Sequence, residues 1–135
     1  MPIRPENRAR YPADWPQIRE RIMRRAGGRC EWPECTATHG TIGLWETDGK
    51  FYPLPDRLWH AGYRPGHTVA TTRGAFKVLR IVLTIAHLDH TPENCADDNL
   101  RAWCQRHHLA YDAEHHAVTR ARTRHANANT MELPL

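Results

Sequence analysis

Two widely separated pairs of metal-ligand residues constrain this chain more than anything else in it. Cys30-x4-Cys35 stands in the first third of the sequence and Cys104-x2-His107 in the last third. Such pairs bring four soft or borderline donors into a tetrahedron that suits zinc. Joining them closes a long loop and ties the N-terminal part of the chain to its C-terminal half. The competing reading is four unrelated residues, with buried cysteines acting as small hydrophobes. At 135 residues the chain is one domain. Its mean hydropathy of −0.73 points to a modest core, so metal binding there becomes folding free energy. Cys95 is the odd cysteine: a packed loop thiol, or a replacement for one of the four ligands.

The N-terminus lacks the apolar run of a signal peptide, and no 18-residue apolar stretch crosses a membrane. The expected location is therefore the cytosol, where cysteines serve as metal ligands or free thiols rather than disulfides. Charge is unevenly spread. Residues 1–30 carry eight Arg against three acids, and residues 117–135 three Arg against one Glu. Residues 87–116 carry six acids against two Arg, together with most of the histidines. An acidic, histidine-rich centre flanked by basic segments suits a cation site that meets a polyanion. An unevenly charged surface reads the same way from composition alone.

Residues 1–12 read as an arm. Asp14 is placed to cap a helix to about Ala26, ended by Gly27-Gly28. Segment 14–35 thus carries a helix and the first ligand pair, and 36–75 a glycine-punctuated, β-rich insertion. Within it, Asp48-Gly49 marks a hairpin between Leu44-Trp45 and Phe51-Tyr52. Residues 76–86 read as one strong strand. A loop follows over 87–98, then a turn or short helix from Asn99 to Trp103. A second helix is expected over 105–122 and a frayed tail over 123–135. Trp15, Trp32, Trp45, Trp59 and Trp103 read as core aromatics.

The last third carries a further pattern. His87 closes the strong strand, Asn99 lies twelve residues on, and His108 nine beyond that, directly after the second ligand pair. Strand, His, loop, Asn-Leu, then Cys-x2-His-His on a helix resembles the HNH endonuclease motif, in the form found in small zinc-bearing proteins of phages and their bacterial hosts. The stretch from Tyr11 to Cys30 resembles the lead-in of the same group. The resemblance covers about half the chain and leaves 36–75 unmatched. It implies an α+β chain with a ββα-metal core over 76–122, a structural zinc knuckle, an N-terminal helix and the β-rich insertion. It also implies the cytoplasm of a bacterial host, with a phage or prophage gene.

By that resemblance His87 is the general base that activates water, Asn99 orients the loop bearing it, and His108 ligates a catalytic divalent cation. The implied reaction is hydrolysis of DNA phosphodiester bonds to 5′-phosphate and 3′-hydroxyl ends. One departure matters. Many members carry an acidic ligand just before the first histidine, and here that residue is Ala86. Hard cations want oxygen donors, so a replacement is needed. Asp112, four residues past His108 on one helical face, is the first choice, Asp89 the second and His90 the third. A histidine-rich site suits Mn2+, Ni2+ or Zn2+ better than Mg2+. An alternative register takes Asp89-His90 as the ligand–base pair. His115 and His116 either extend this site or face solvent. Arg19, Arg24, Arg25, Arg120, Arg122 and Arg124 read as phosphate contacts or as cations complementing helix ends. The expected partner is DNA with little sequence preference, with a phage packaging (terminase) complex or a second copy as further partners. The rival function is a DNA-binding zinc module, or an adaptor in phage packaging, whose catalytic site has decayed.

Overall fold

The computed structural model describes residues 3–132, with side chains described as far as residue 126. The expectation for the tail therefore falls partly outside the described residues. Pro5–Arg10 is a 3-10 helix rather than a loose arm. Arg10 holds it down through two bonds to Glu93, Nε–Oε1 at 2.6 Å and Nη2–Oε2 at 3.1 Å.

Helix α1 runs over Trp15–Ala26. Asp14 stands at its N-cap, but only the Asp14 carbonyl is used: the side chain makes no cap bond. Pro16 in the first turn removes one N–H that would otherwise lack a partner. Gly27 and Gly28 both take positive φ, and their N–H groups close the helix on the Arg24 and Met23 carbonyls. The face carrying Ile18 and Ile22 is buried.

Three small antiparallel sheets follow, so the chain mixes α and β. Strands β1 (Ile42–Trp45) and β2 (Phe51–Pro53) pair across the Asp48-Gly49 turn as expected. Gly43 is required there. A Cβ on it would lie 2.2 Å from the Tyr52 carbonyl oxygen and 2.6 Å from the Phe51 ring. A short helix α2 (Asp56–His60) leads to the pair β3 (Thr68–Thr71) and β4 (Gly74–Lys77). Strand β5 (Leu79–Arg80) joins the free edge of β1, giving the order β2-β1-β5. Strand β6 (Leu83–His87) pairs with β7 (Leu100–Cys104), with Leu83 opposite Cys104 and His87 opposite Leu100. Helix α3 (Gln105–Glu132) starts directly from the end of β7.

Two sequence expectations are corrected. The 76–86 run is not one strand but parts of β4, β5 and β6, each serving a different sheet. The breaks fall at Val78 and at Ile81-Val82, where the backbone changes partner: Val78 N–H donates to His67 and Ile81 N–H to Thr41. Val78 and Ile81 are fully buried, so the apolar run continues across the breaks and conceals them. The second correction concerns 99–103. A 3-10 turn at Asp97–Asn99 is followed by a strand, because β6 offers a partner and cross-strand pairing outweighs the helix preference of Arg101 and Ala102. Helix α3 also runs ten residues beyond the expected end at 122.

The core lies where α1 and α3 pack on the β6–β7 pair. It gathers Ile18, Ile22, Leu83, Ile85, Leu100, Ala102, Trp103 and the buried cysteines. Trp59 departs from its expected core role; it is exposed, with the Arg64 guanidinium 3.6 Å above its ring. No helix among the described residues is long and apolar enough to cross a membrane.

Candidate metal centre and histidine cleft

Cys30 and Cys35 flank the short segment after α1, Cys104 ends β7, and His107 stands in the first turn of α3. The fold brings these four together, with every ligand atom within 4.8 Å of the others. His107 Nδ1 lies 3.3 Å from Cys104 Sγ and 3.8 Å from Cys30 Sγ. Tetrahedral zinc, with bonds of about 2.1 Å to nitrogen and 2.3 Å to sulfur, sets such N···S pairs about 3.6 Å apart. The donors therefore fit a structural metal such as zinc. Trp32 stacks on the His107 ring at 4.9 Å and 3°, and Trp45 meets it edge-on. Cys95 is not in the cluster. Its Sγ contacts the Pro92 carbonyl and lies 3.7 Å from His87 Nε2.

The thiols are electrostatically unequal. A hydrogen bond from Cys104 pulls the Cys30 pKa down to about 5, and the Cys104 and Trp32 backbones and His107 add to it. Cys104 is pushed up by that same hydrogen bond and by burial, and Cys35 by burial. One thiolate is thus poised before any metal arrives.

Apart from this cluster, a cleft of about 740 Å³ lies along β6 and the first turns of α3. Its lining includes Tyr11, Trp15, Arg19, Thr84, His87, His90, His108, Asp112, His115 and His116. His87, at the end of β6, is 8 % exposed and stacks on Trp15 at 5.3 Å, with Tyr11 edge-on at 5.8 Å. Burial lowers its pKa, and the nearby His108 charge lowers it further against a raising effect from Asp89. His108 is lowered by burial as well, opposed by Asp112. Its Nδ1 lies 2.5 Å from Thr84 Oγ1, and its Nε2 lies 3.1 Å from Asp112 Oδ2. The other Asp112 oxygen is 3.2 Å from His90 Nδ1.

Asn99 is buried and stitches the 88–99 loop from end to end. Its Nδ2 donates to Asp89 Oδ1 at 2.9 Å and to the Asn94 carbonyl at 2.8 Å, while its carbonyl accepts from Leu88 N–H. Asp89 is thereby tied into the loop's own hydrogen bonding. Both its oxygens accept hydrogen bonds from Asn99, Thr91 and Asn94, which hold its pKa down at about 2.

The arginines separate. Arg25 pairs with Glu31 at 2.7 Å and donates to the Asp97 and Leu100 carbonyls. Arg24 is paired with Glu20. Arg19 lines the cleft, and Arg120, Arg122 and Arg124 are exposed on α3. Sequence reasoning missed the part played by Thr84 and the stacking of Trp15 on His87. The only available signal for the first was a lone hydroxyl in the apolar run 81–86. No protein-family model matches the chain, and neither a curated protein nor a solved structure matches it.

Proposed function

We propose that the protein is a metal-dependent HNH-type endonuclease that hydrolyses DNA phosphodiester bonds. One observation carries the reading. An antiparallel strand pair followed directly by a helix presents His87, His108 and Asp112 to one cleft, and Asn99 is bonded across the loop that leaves His87.

In this reading His87 takes the proton of the attacking water. Burial keeps its imidazole neutral at pH 7, which is the form a general base needs. Asn99 acts through the loop and holds the backbone after His87 in place, a positioning role. His108 and Asp112 supply a nitrogen and a buried carboxylate at one spot, a donor chemistry that fits a divalent cation. A cation held there would neutralise charge on the scissile phosphate and the leaving 3′ oxygen. In this reading Arg19 at the cleft and the exposed Arg120, Arg122 and Arg124 on α3 would meet neighbouring phosphates.

Ala86 favours a second reading. It is 1 % exposed and apolar, where many HNH proteins carry an acidic ligand. A chain without that ligand binds DNA, or serves as an adaptor in phage packaging, and does not cut. A supercoiled-plasmid assay separates the two. The nuclease reading expects open circles or linear DNA only with added divalent ion, and none with His87→Ala. The binding reading expects DNA retardation without cleavage under any metal, equally in both proteins.

A further inference from the structure

His39 belongs to the 36–75 insertion, yet three hydrogen bonds fix its position against the start of β6. Its own N–H donates to the Gly28 carbonyl at 2.8 Å, and the N–H of the next residue, Gly40, donates to the Ile81 carbonyl at 2.8 Å. The ring takes part in the third: the Leu83 N–H donates to His39 Nδ1 at 3.0 Å. An Nδ1 that accepts a hydrogen bond carries no proton, so the ring's N–H is on Nε2. That Nε2–H has no protein partner among the described residues, and the exposed ring lines the cleft. A donor held this firmly is preorganised for a ligand.

The rest of the cleft identifies the ligand class. Strand β6 runs from Leu83, where His39 is bonded, to His87, about 13 Å at 3.3 Å per residue. A ligand that touches both histidines is longer than one phosphodiester link. Arg4 and Arg19 line the same cleft, and neither has a carboxylate partner among the described residues. The one acid in the lining, Asp112, already faces His90 and His108. Cations and donors spread along an elongated cleft complement a chain of anions, the backbone of a nucleic-acid strand.

We propose that the strand to be cut lies along β6, and that His39 donates its Nε2–H to a backbone phosphate remote from the one at His87. It is a positioning residue rather than a catalytic one. This rests on the proposed function for the identity of the substrate. The contact is a neutral hydrogen bond, so it releases no counterion of its own. Its loss weakens binding about 3–10-fold. The loss falls on KM rather than kcat, because the remote phosphate is held equally in the ground state and the transition state.

The test compares the zinc-loaded full chain, wild type and His39→Asn, on a short DNA duplex. Asparagine places an amide oxygen where Nδ1 stood, so the Leu83 N–H keeps an acceptor while the Nε2 donor is lost. Expected for His39→Asn is an unchanged melting temperature, KM raised about 3–10-fold, kcat within about twofold, and an unchanged salt-dependence slope. A wild-type KM, or a loss confined to kcat, overturns the assignment. Long-range 1H–15N spectra of wild type decide the matter without a variant. They should show the His39 proton on Nε2 in the free chain, and a shift of Nε2 but not of Nδ1 when the duplex is added without a second metal ion. An unmoved Nε2 overturns the assignment, as does a free chain with the proton on Nδ1. A chain that binds DNA through His39 and cuts none sinks the nuclease reading and leaves this assignment standing, with the loss in His39→Asn then read as Kd. A chain that cuts DNA with an unmoved Nε2 and a wild-type KM in His39→Asn does the reverse.

Discussion

His107 and His108 are neighbours in sequence and turn to different sets of partners. His107 turns into the cysteine cluster under Trp32, and His108 turns into the cleft beside Thr84 and Asp112. The first site is closed, with four protein donors within 4.8 Å of one another. The second is an open cleft, where the proposed cation would meet protein on one side and solvent on the other. Closed coordination suits structure, and open coordination suits chemistry. One helical turn therefore couples the two, because whatever fixes His107 also fixes the direction of His108.

The largest effect should come from breaking the closed site. Cys104→Ser, or a strong chelator, should abolish cooperative melting followed by circular dichroism, since structural zinc supplies on the order of 10 kcal/mol in domains of this kind. A Cys104→Ser protein that melts like wild type removes the structural assignment. Next is the open site. His87→Ala should cut the cleavage rate by about 10²–10⁴-fold, the usual worth of a general base, and shift the melting temperature by only a few degrees. Loss of both activity and fold would erase the contrast between the sites.

Proton uptake sharpens the same comparison. Cys30 titrates at about 5 while Cys35 and Cys104 stay protonated at pH 7. Zinc binding should then release about two protons at pH 7, and zinc affinity should rise with pH. Calorimetry in buffers of differing ionisation enthalpy measures this. In the cleft the sign is set by burial. The folded His87 value lies below the ordinary 6.5, so the unfolded chain binds that proton first. Its contribution to stability falls as pH drops from 6.5 through the folded value. The acid limb of the cleavage rate should likewise lie below 6.5. An acid limb above it excludes His87 as the base.

The smallest effects separate two arginines on α1. Arg25→Ala should cost about 1–3 kcal/mol of stability, because Glu31 and two carbonyls lose their donor. Its DNA affinity should not change. Arg19→Ala should leave stability alone and lower the salt-dependence slope of DNA binding by about 1. Exchanged outcomes would reassign both residues.

What could be read from the sequence was whatever depends on short spacing. Cys30 with Cys35, Cys104 with His107, and His108 with Asp112 are each held by local backbone geometry, so residue type and separation suffice to pair them. What escaped depends on long-range partners. Thr84 reaches His108 across 24 residues, and Arg25 reaches Leu100 across 75. Nothing near either residue announces the contact. The division of the 76–86 run escaped for a different reason: an apolar stretch passed between three sheets is buried in each, so its hydrophobic pattern never breaks. The 100–104 strand needed β6 beside it before its alternation meant anything.

Helix α3 is continuous in its hydrogen bonding but not in its support. Its first two turns are pinned by His107, His108, Tyr111 and Asp112. From Ala117 to Ala126 every residue is exposed. Burial adds little to the order of Ala117–Ala126, where each side chain reaches solvent, so that stretch leans mainly on its helical bonding. One uninterrupted element thus spans two thermodynamic units, and the cooperative domain ends partway along it. Amide exchange should slow towards the start of α3 and quicken past residue 116 within a turn or two. A protease offered the native chain should trim α3 back to that point and leave the cysteine cluster and the cleft intact.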